Sequence, residues 1–160
     1  METVRIRIVE DERGSVAVEA ALALPFVIAF AFAIFEFGGM LYAYEMVQTG
    51  VRDAARYLAR VPDPTASETQ ARAIAVTGSP SGSGASRVAG WSDRDVTVSY
   101  ASAPNPVDAA TGLRAYRGSD PLRIVTVSTT FQPRGLGLLS AIGLGPIQVA
   151  ASHTERHVGQ

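Results

Sequence analysis

Glu19 is the one charged residue in a stretch that is otherwise apolar from Val16 to Phe35, and it stands five positions beyond Gly14. A carboxylate at the edge of such a run costs less than one at its centre, where insertion costs about 2.5–3.5 kcal/mol, but residues of this kind tend to be paired or functional. The bland reading is a side chain that snorkels to the headgroups. A second group able to do chemistry is His153-Thr154-Glu155-Arg156-His157. On a strand, His153, Glu155 and His157 would share a face, and on a helix the two histidines would lie one turn apart. The acid is two residues from each histidine, which is not the H-E-x-x-H arrangement, so a polar C-terminal tail is the better reading and no metal is expected. A third group is the row Arg52, Arg56 and Arg60 at i, i+4 spacing, suited to acidic lipid or a partner but more simply a solvated helix face.

Other chemistry has no visible carrier. No nucleophile elbow, Walker loop, dinucleotide fingerprint or acid–base pair is present, so no catalytic residue and no cofactor is expected. With no cysteine, disulfides, thiolate metal sites and thiol nucleophiles are excluded. The formal charge of −1 supplies no global basic field for nucleic acid. All basic residues are arginines, a mark of the coding genome rather than of function.

The elements that position these residues begin with the apolar run. Its twenty residues, 16–35, cover about 30 Å as a helix, the thickness of bilayer hydrocarbon. A chain of 160 residues is too small to bury a helix that is apolar on every face. A cleaved secretory signal fits poorly, because residues 1–14 are not net positive and the small-x-small sites fall inside the run. Arg13 lies close on the N-terminal side while the nearest arginine beyond is Arg52, which biases the N-terminus inward. Pro25 is expected to kink the helix.

Past Gly38-Gly39, Leu41, Tyr44, Val47, Val51, Ala54 and Leu58 form one stripe, and Glu45, Thr49, Arg52, Arg56 and Arg60 another. A continuous helix over about 16–60 follows, ended by Pro62 and Pro64. Thr65-Ala66-Ser67-Glu68 looks like a capping box opening a short helix over 65–76. A Gly/Ser-rich loop covers 79–90. Strands are expected at Asp95–Tyr100, Leu122–Phe131 and Ile147–Arg156, and the Gly/Leu-rich 133–146 as a loop or short helix over them. Trp91 is expected in the core or at its edge. The fold class is α+β, a long N-terminal transmembrane and amphipathic α-helix packed on a small antiparallel β-sheet.

Arg13-Gly14-Ser15-Val16-Ala17-Val18-Glu19 resembles a type IV prepilin processing site. Ala17-Val18-Glu19, Leu24-Pro25, Glu36-Phe37-Gly38 and Ala54-Ala55-Arg56-Tyr57-Leu58-Ala59-Arg60 together resemble the TadE-like minor pilins, or pseudopilins, of the tight-adherence (Flp) pilus system. One departure is Ala20, where the family often has phenylalanine. The resemblance implies a leader at 1–14 cut after Gly14 by a prepilin peptidase, a mature chain starting at Ser15, a transmembrane segment over 15–38, an amphipathic extension over 39–62 and an extracytoplasmic domain over 63–160. It also implies other pilins and an assembly platform as partners, and an inner-membrane location with a cytoplasmic N-terminus. A new ammonium at Ser15 would pair with the carboxylate of a neighbouring Glu19. The alternative is a single-pass binding or adhesion module whose anchor is never cut.

Overall fold

The computed structural model describes residues 12–118, 120–134, 143, 145 and 147–158. Most of the expected leader, and most of the Gly/Leu-rich segment, lie outside the described residues.

The apolar run and the amphipathic stretch form one helix, α1 (Glu12–Arg60). It runs through Pro25 and through Gly38-Gly39 without a break in helical assignment, and it starts four residues earlier than the apolar pattern indicates. Propensity explains the early start: Glu12, Arg13 and Ser15 accept helical backbone, and only Gly14 opposes it, by about 1 kcal/mol relative to alanine. Helix α2 (Glu68–Thr77) ends on Gly78, whose φ of 80° needs the freedom of glycine and lets its N–H reach the Ile74 carbonyl at 2.8 Å. The expected capping box at Thr65 is not formed. Asp63 organises the turn instead, its Oδ1 accepting the N–H groups of Thr65 and Ala66 at 3.0 and 3.1 Å. A capping box does occur where none was expected: the Ser92 N–H and hydroxyl both donate to the Asp95 carboxylate, at 2.9 and 2.8 Å, over a 3₁₀ turn at Asp93–Asp95.

Three antiparallel strands follow, β1 (Val96–Ala103), β2 (Leu122–Phe131) and β3 (Val149–Arg156), in the order β1-β2-β3. Register sets Val98 opposite Val127, and Val127 opposite His153. The alternation of β2 turns Val125, Val127, Thr129 and Phe131 toward α1. Against them lie Val47, Val51, Ala54 and Leu58 of α1, all fully buried, with Ala71 and Ala75 of α2 closing one flank.

Two residues of the apolar stripe are not in this core. Leu41 and Tyr44 are exposed and Ala43 is buried in their place, because the face that meets the sheet is turned at the lower end toward Glu36, Met40 and Ala43. Trp91 takes its expected core position. It stacks on Phe131 at 5.9 Å and donates its indole N–H to the Thr129 hydroxyl at 3.0 Å, which in turn donates to the Asp95 carbonyl at 2.7 Å. Each polar atom of this buried relay has a partner, so the relay adds specificity without an unmet desolvation cost.

Gly50 shows how closely the helices approach. A Cβ there would run into the Ala75 carbonyl oxygen and lie 2.8 Å from Trp91 Cη2. The tail is not a free end either: the N–H of His157 donates to the Arg123 carbonyl at 2.9 Å, and that of Val158 to Ala59 at 2.7 Å.

Candidate functional site: the stem and its carboxylates

Among the described residues, only the upper half of α1 has protein around it. Residues 14–32 are all exposed, Phe26 by 76% and Phe30 by 74%, and the described helix is long and apolar enough to cross a membrane. The lower half is a stem projecting from a small head. In water, that much contiguous exposed apolar surface marks an interaction site with protein or lipid.

Gly14, Ser15 and Glu19 sit together at the outer end of this stem, exposed and far from the head. Ser15 and Glu19 are four residues apart on one helix, and therefore on one face about 6 Å apart along the axis. Glu19 has no polar partner among the described residues. Gly14 is helical here, with nothing within 4 Å of where a Cβ would be. A protease that binds extended substrate would have to unwind this turn, and glycine makes that local unwinding cheaper.

A second carboxylate, missed as a site residue by sequence reasoning, closes the stem at its other end. Glu36 lies seventeen residues, about 25 Å, beyond Glu19. It is only 7% exposed, and its Oε2 is shielded from solvent without a hydrogen-bond partner among the described residues. It borders a cavity of about 270 Å³ that Arg87 and Arg134 also line. Arg87 is already committed to Asp53 at 2.8 Å. The signal in the sequence was an acid at the end of the apolar run; what was not legible was that residues 87 and 134, far along the chain, would come up beside it. A buried carboxylate oxygen without a partner is expensive, so the position is suited to receiving a donor from outside the subunit.

The remaining candidates resolve as structure. His153 Nε2 lies 2.9 Å from Glu155 Oε1. His157 lies away from this pair, its Nε2–H donating to the Val61 carbonyl at 2.8 Å, which ties the tail to the end of α1. No cluster of three potential metal ligands occurs among the described residues. Arg52, Arg56 and Arg60 are exposed, with Arg56 reaching Glu155 only at 3.9 Å.

One long apolar stem bearing a small head, with the upper part of the same helix packed across a three-stranded antiparallel sheet, makes an α+β fold. The family described as TadE-like protein matches residues 14–56, in agreement with the resemblance read from the motifs and consistent with a TadE-like pilin of the tight-adherence system. The match takes in the stem and most of the packed half of α1, and stops short of the sheet. No curated protein and no solved structure matches the chain.

Proposed function

We propose that this chain is a membrane-anchored minor pilin or pseudopilin that takes part in building a tight-adherence pilus. The observation that carries the reading is a helix half that is apolar, uncovered and about as long as a bilayer is thick, within the part of the chain that matches the TadE-like family.

In this reading a prepilin peptidase cuts after Gly14 at the cytoplasmic face, the new ammonium at Ser15 pairs with the Glu19 carboxylate of a neighbouring subunit, and the head stands outside the inner membrane. Ala17, Ala20, Ala21, Ala29, Ala31 and Ala33 allow neighbouring stems to approach closely, which favours van der Waals packing in lipid. Glu36, at the collar between stem and head, takes a donor from an adjacent pilin.

The test is the intact mass of the chain extracted from membranes. A chain beginning at Ser15, with Gly14→Val retaining the leader, supports the reading. A full-length wild-type chain would instead mark a plain anchored binding module. Glu19→Ala is expected to insert and be cut but to enter filaments poorly; normal incorporation would remove the charge pair from the account.

A further inference from the structure

The end of the head farthest from the stem carries an open groove of about 1160 Å³ that the proposed assembly role leaves unused. It lies where β1 ends and β2 begins, under the tail that follows β3, and its lining includes Tyr100, Ser102, Arg117, Arg123, Arg156 and His157. No Asp or Glu is among the described residues that line it. The two acids adjacent in sequence are engaged elsewhere: Asp120 Oδ2 pairs with Arg114 at 3.4 Å and its Oδ1 accepts the Asn105 N–H at 2.9 Å, while Glu155 Oε1 lies 2.9 Å from His153 Nε2.

The cations are held rather than scattered. Ser102 is opposite Arg123 in the β1–β2 register, and the His157 N–H to the Arg123 carbonyl continues the β2–β3 ladder, so these three form a row across the end of the sheet. Arg156 takes the other face by alternation, and the groove therefore reaches round the sheet's end. Its guanidinium lies over the Tyr116 ring at 5.3 Å, and its Nη1 is shielded from solvent with no hydrogen-bond partner among the described residues. Arg117 is carried on a loop that buried Asn105 pins down, through Nδ2–H to the Tyr116 carbonyl at 2.8 Å and the Tyr116 N–H to Oδ1 at 3.2 Å. Arg117 and Arg123 form no ion pair with any described residue.

Three arginines line this one opening without a lining carboxylate, and one of them offers a shielded, unmet donor that an anion entering the groove would satisfy. We infer that this groove binds an oxyanion-bearing ligand, either a phosphate group or the carboxylate of an acidic sugar. The site does not depend on the stem being in a membrane. If the stem is, the groove lies about 36 Å along α1 from Phe35, beyond the reach of the headgroups around the chain's own anchor.

Titration calorimetry of the full chain in a neutral detergent, with inorganic phosphate in one series and oligogalacturonate in another, tests this. The expected result is saturable, salt-weakened binding of at least one anion, and the tighter series identifies the source. Arg117→Gln with Arg123→Gln, both at exposed positions, should weaken it about tenfold per arginine removed. Arg52→Gln with Arg94→Gln, at exposed positions outside the groove, should leave it unchanged and so controls for general charge. Arg156→Lys, which keeps the charge and loses the planar fork, should fall between the two. No saturable binding of either anion, or equal binding by wild type and the Arg117/Arg123 double variant, overturns the proposal.

Discussion

The two halves of α1 are built from similar residues and have opposite surroundings. Below Glu36, Leu24, Phe26 and Phe30 point away from any protein; above it, Val47, Val51 and Leu58 are sealed against the sheet. A single helix thus has two kinds of apolar surface, one uncovered and one packed, and the sequence distinguishes them by periodicity. The stem is apolar all round, as lipid or neighbouring stems require, whereas the upper half sets its arginines and Glu45 on the outer face and its small and branched residues inward. Glu36 stands where one regime gives way to the other.

The contrast is broken most strongly by truncating matched leucines. Leu58→Ala should destabilise the head by about 2–5 kcal/mol, read from denaturant unfolding by Trp91 fluorescence in detergent, because it opens a cavity in a sealed core. Leu24→Ala, on the stem, should leave that transition in place. The paired glycines come next. Gly50→Ala forces a methyl into the Ala75 carbonyl and the Trp91 ring and should cost about 1–3 kcal/mol. Gly38→Ala meets nothing within 4 Å and should be neutral, or stabilise by up to about 1 kcal/mol through helix propensity.

Glu36→Leu sharpens the comparison at the boundary. Removal of a buried carboxylate with an unmet oxygen should stabilise the isolated chain by about 1–3 kcal/mol while lowering incorporation into filaments. A fall in both would mean that Glu36 is needed by its own head rather than by a neighbour.

The smallest effect is on pH. Partial burial, and next the neighbouring Glu68 carboxylate, push the Tyr100 hydroxyl, which donates to the Pro64 carbonyl at 3.1 Å, from 10.0 up to about 12. The group is protonated more firmly in the folded state, so its contribution is complete below pH 10 and is lost as pH rises from 10 toward 12. Tyr100→Phe should flatten that part of the stability profile, measured by the same fluorescence transition.

Much of this organisation was legible in the residues. The apolar run, the two stripes and the period-two alternation gave α1 and all three strands to within a few residues, since each of these signals is local. Trp91 was legible as core because a lone large aromatic in a small domain has few other places to go. What escaped depends on contacts between distant parts of the chain. Gly50 reads locally as a weak point in a helix, and its reason appears only when the backbone of α2 crosses it. The tail reads as frayed until His157 and Val158 are seen tied to Arg123, Val61 and Ala59. Leu41 and Tyr44 fit the periodic stripe and still face outward, because a pattern cannot say where along a helix its neighbour ends. Of the candidate site, the position and company of Gly14, Ser15 and Glu19 at the outer end of the stem followed from spacing, whereas Glu36 could not be singled out without the cavity beside it.

The central claim is that the lower half of α1 resides in lipid, and extraction of cell membranes tests it most directly. The full-length chain should stay with the membrane pellet through high salt and alkaline carbonate, enter solution only with detergent, and lose this behaviour on Ile28→Arg, which sets a cation at the middle of the span at a cost of about 2.5–3.5 kcal/mol. A chain recovered as a freely soluble monomer in buffer without detergent would contradict the account.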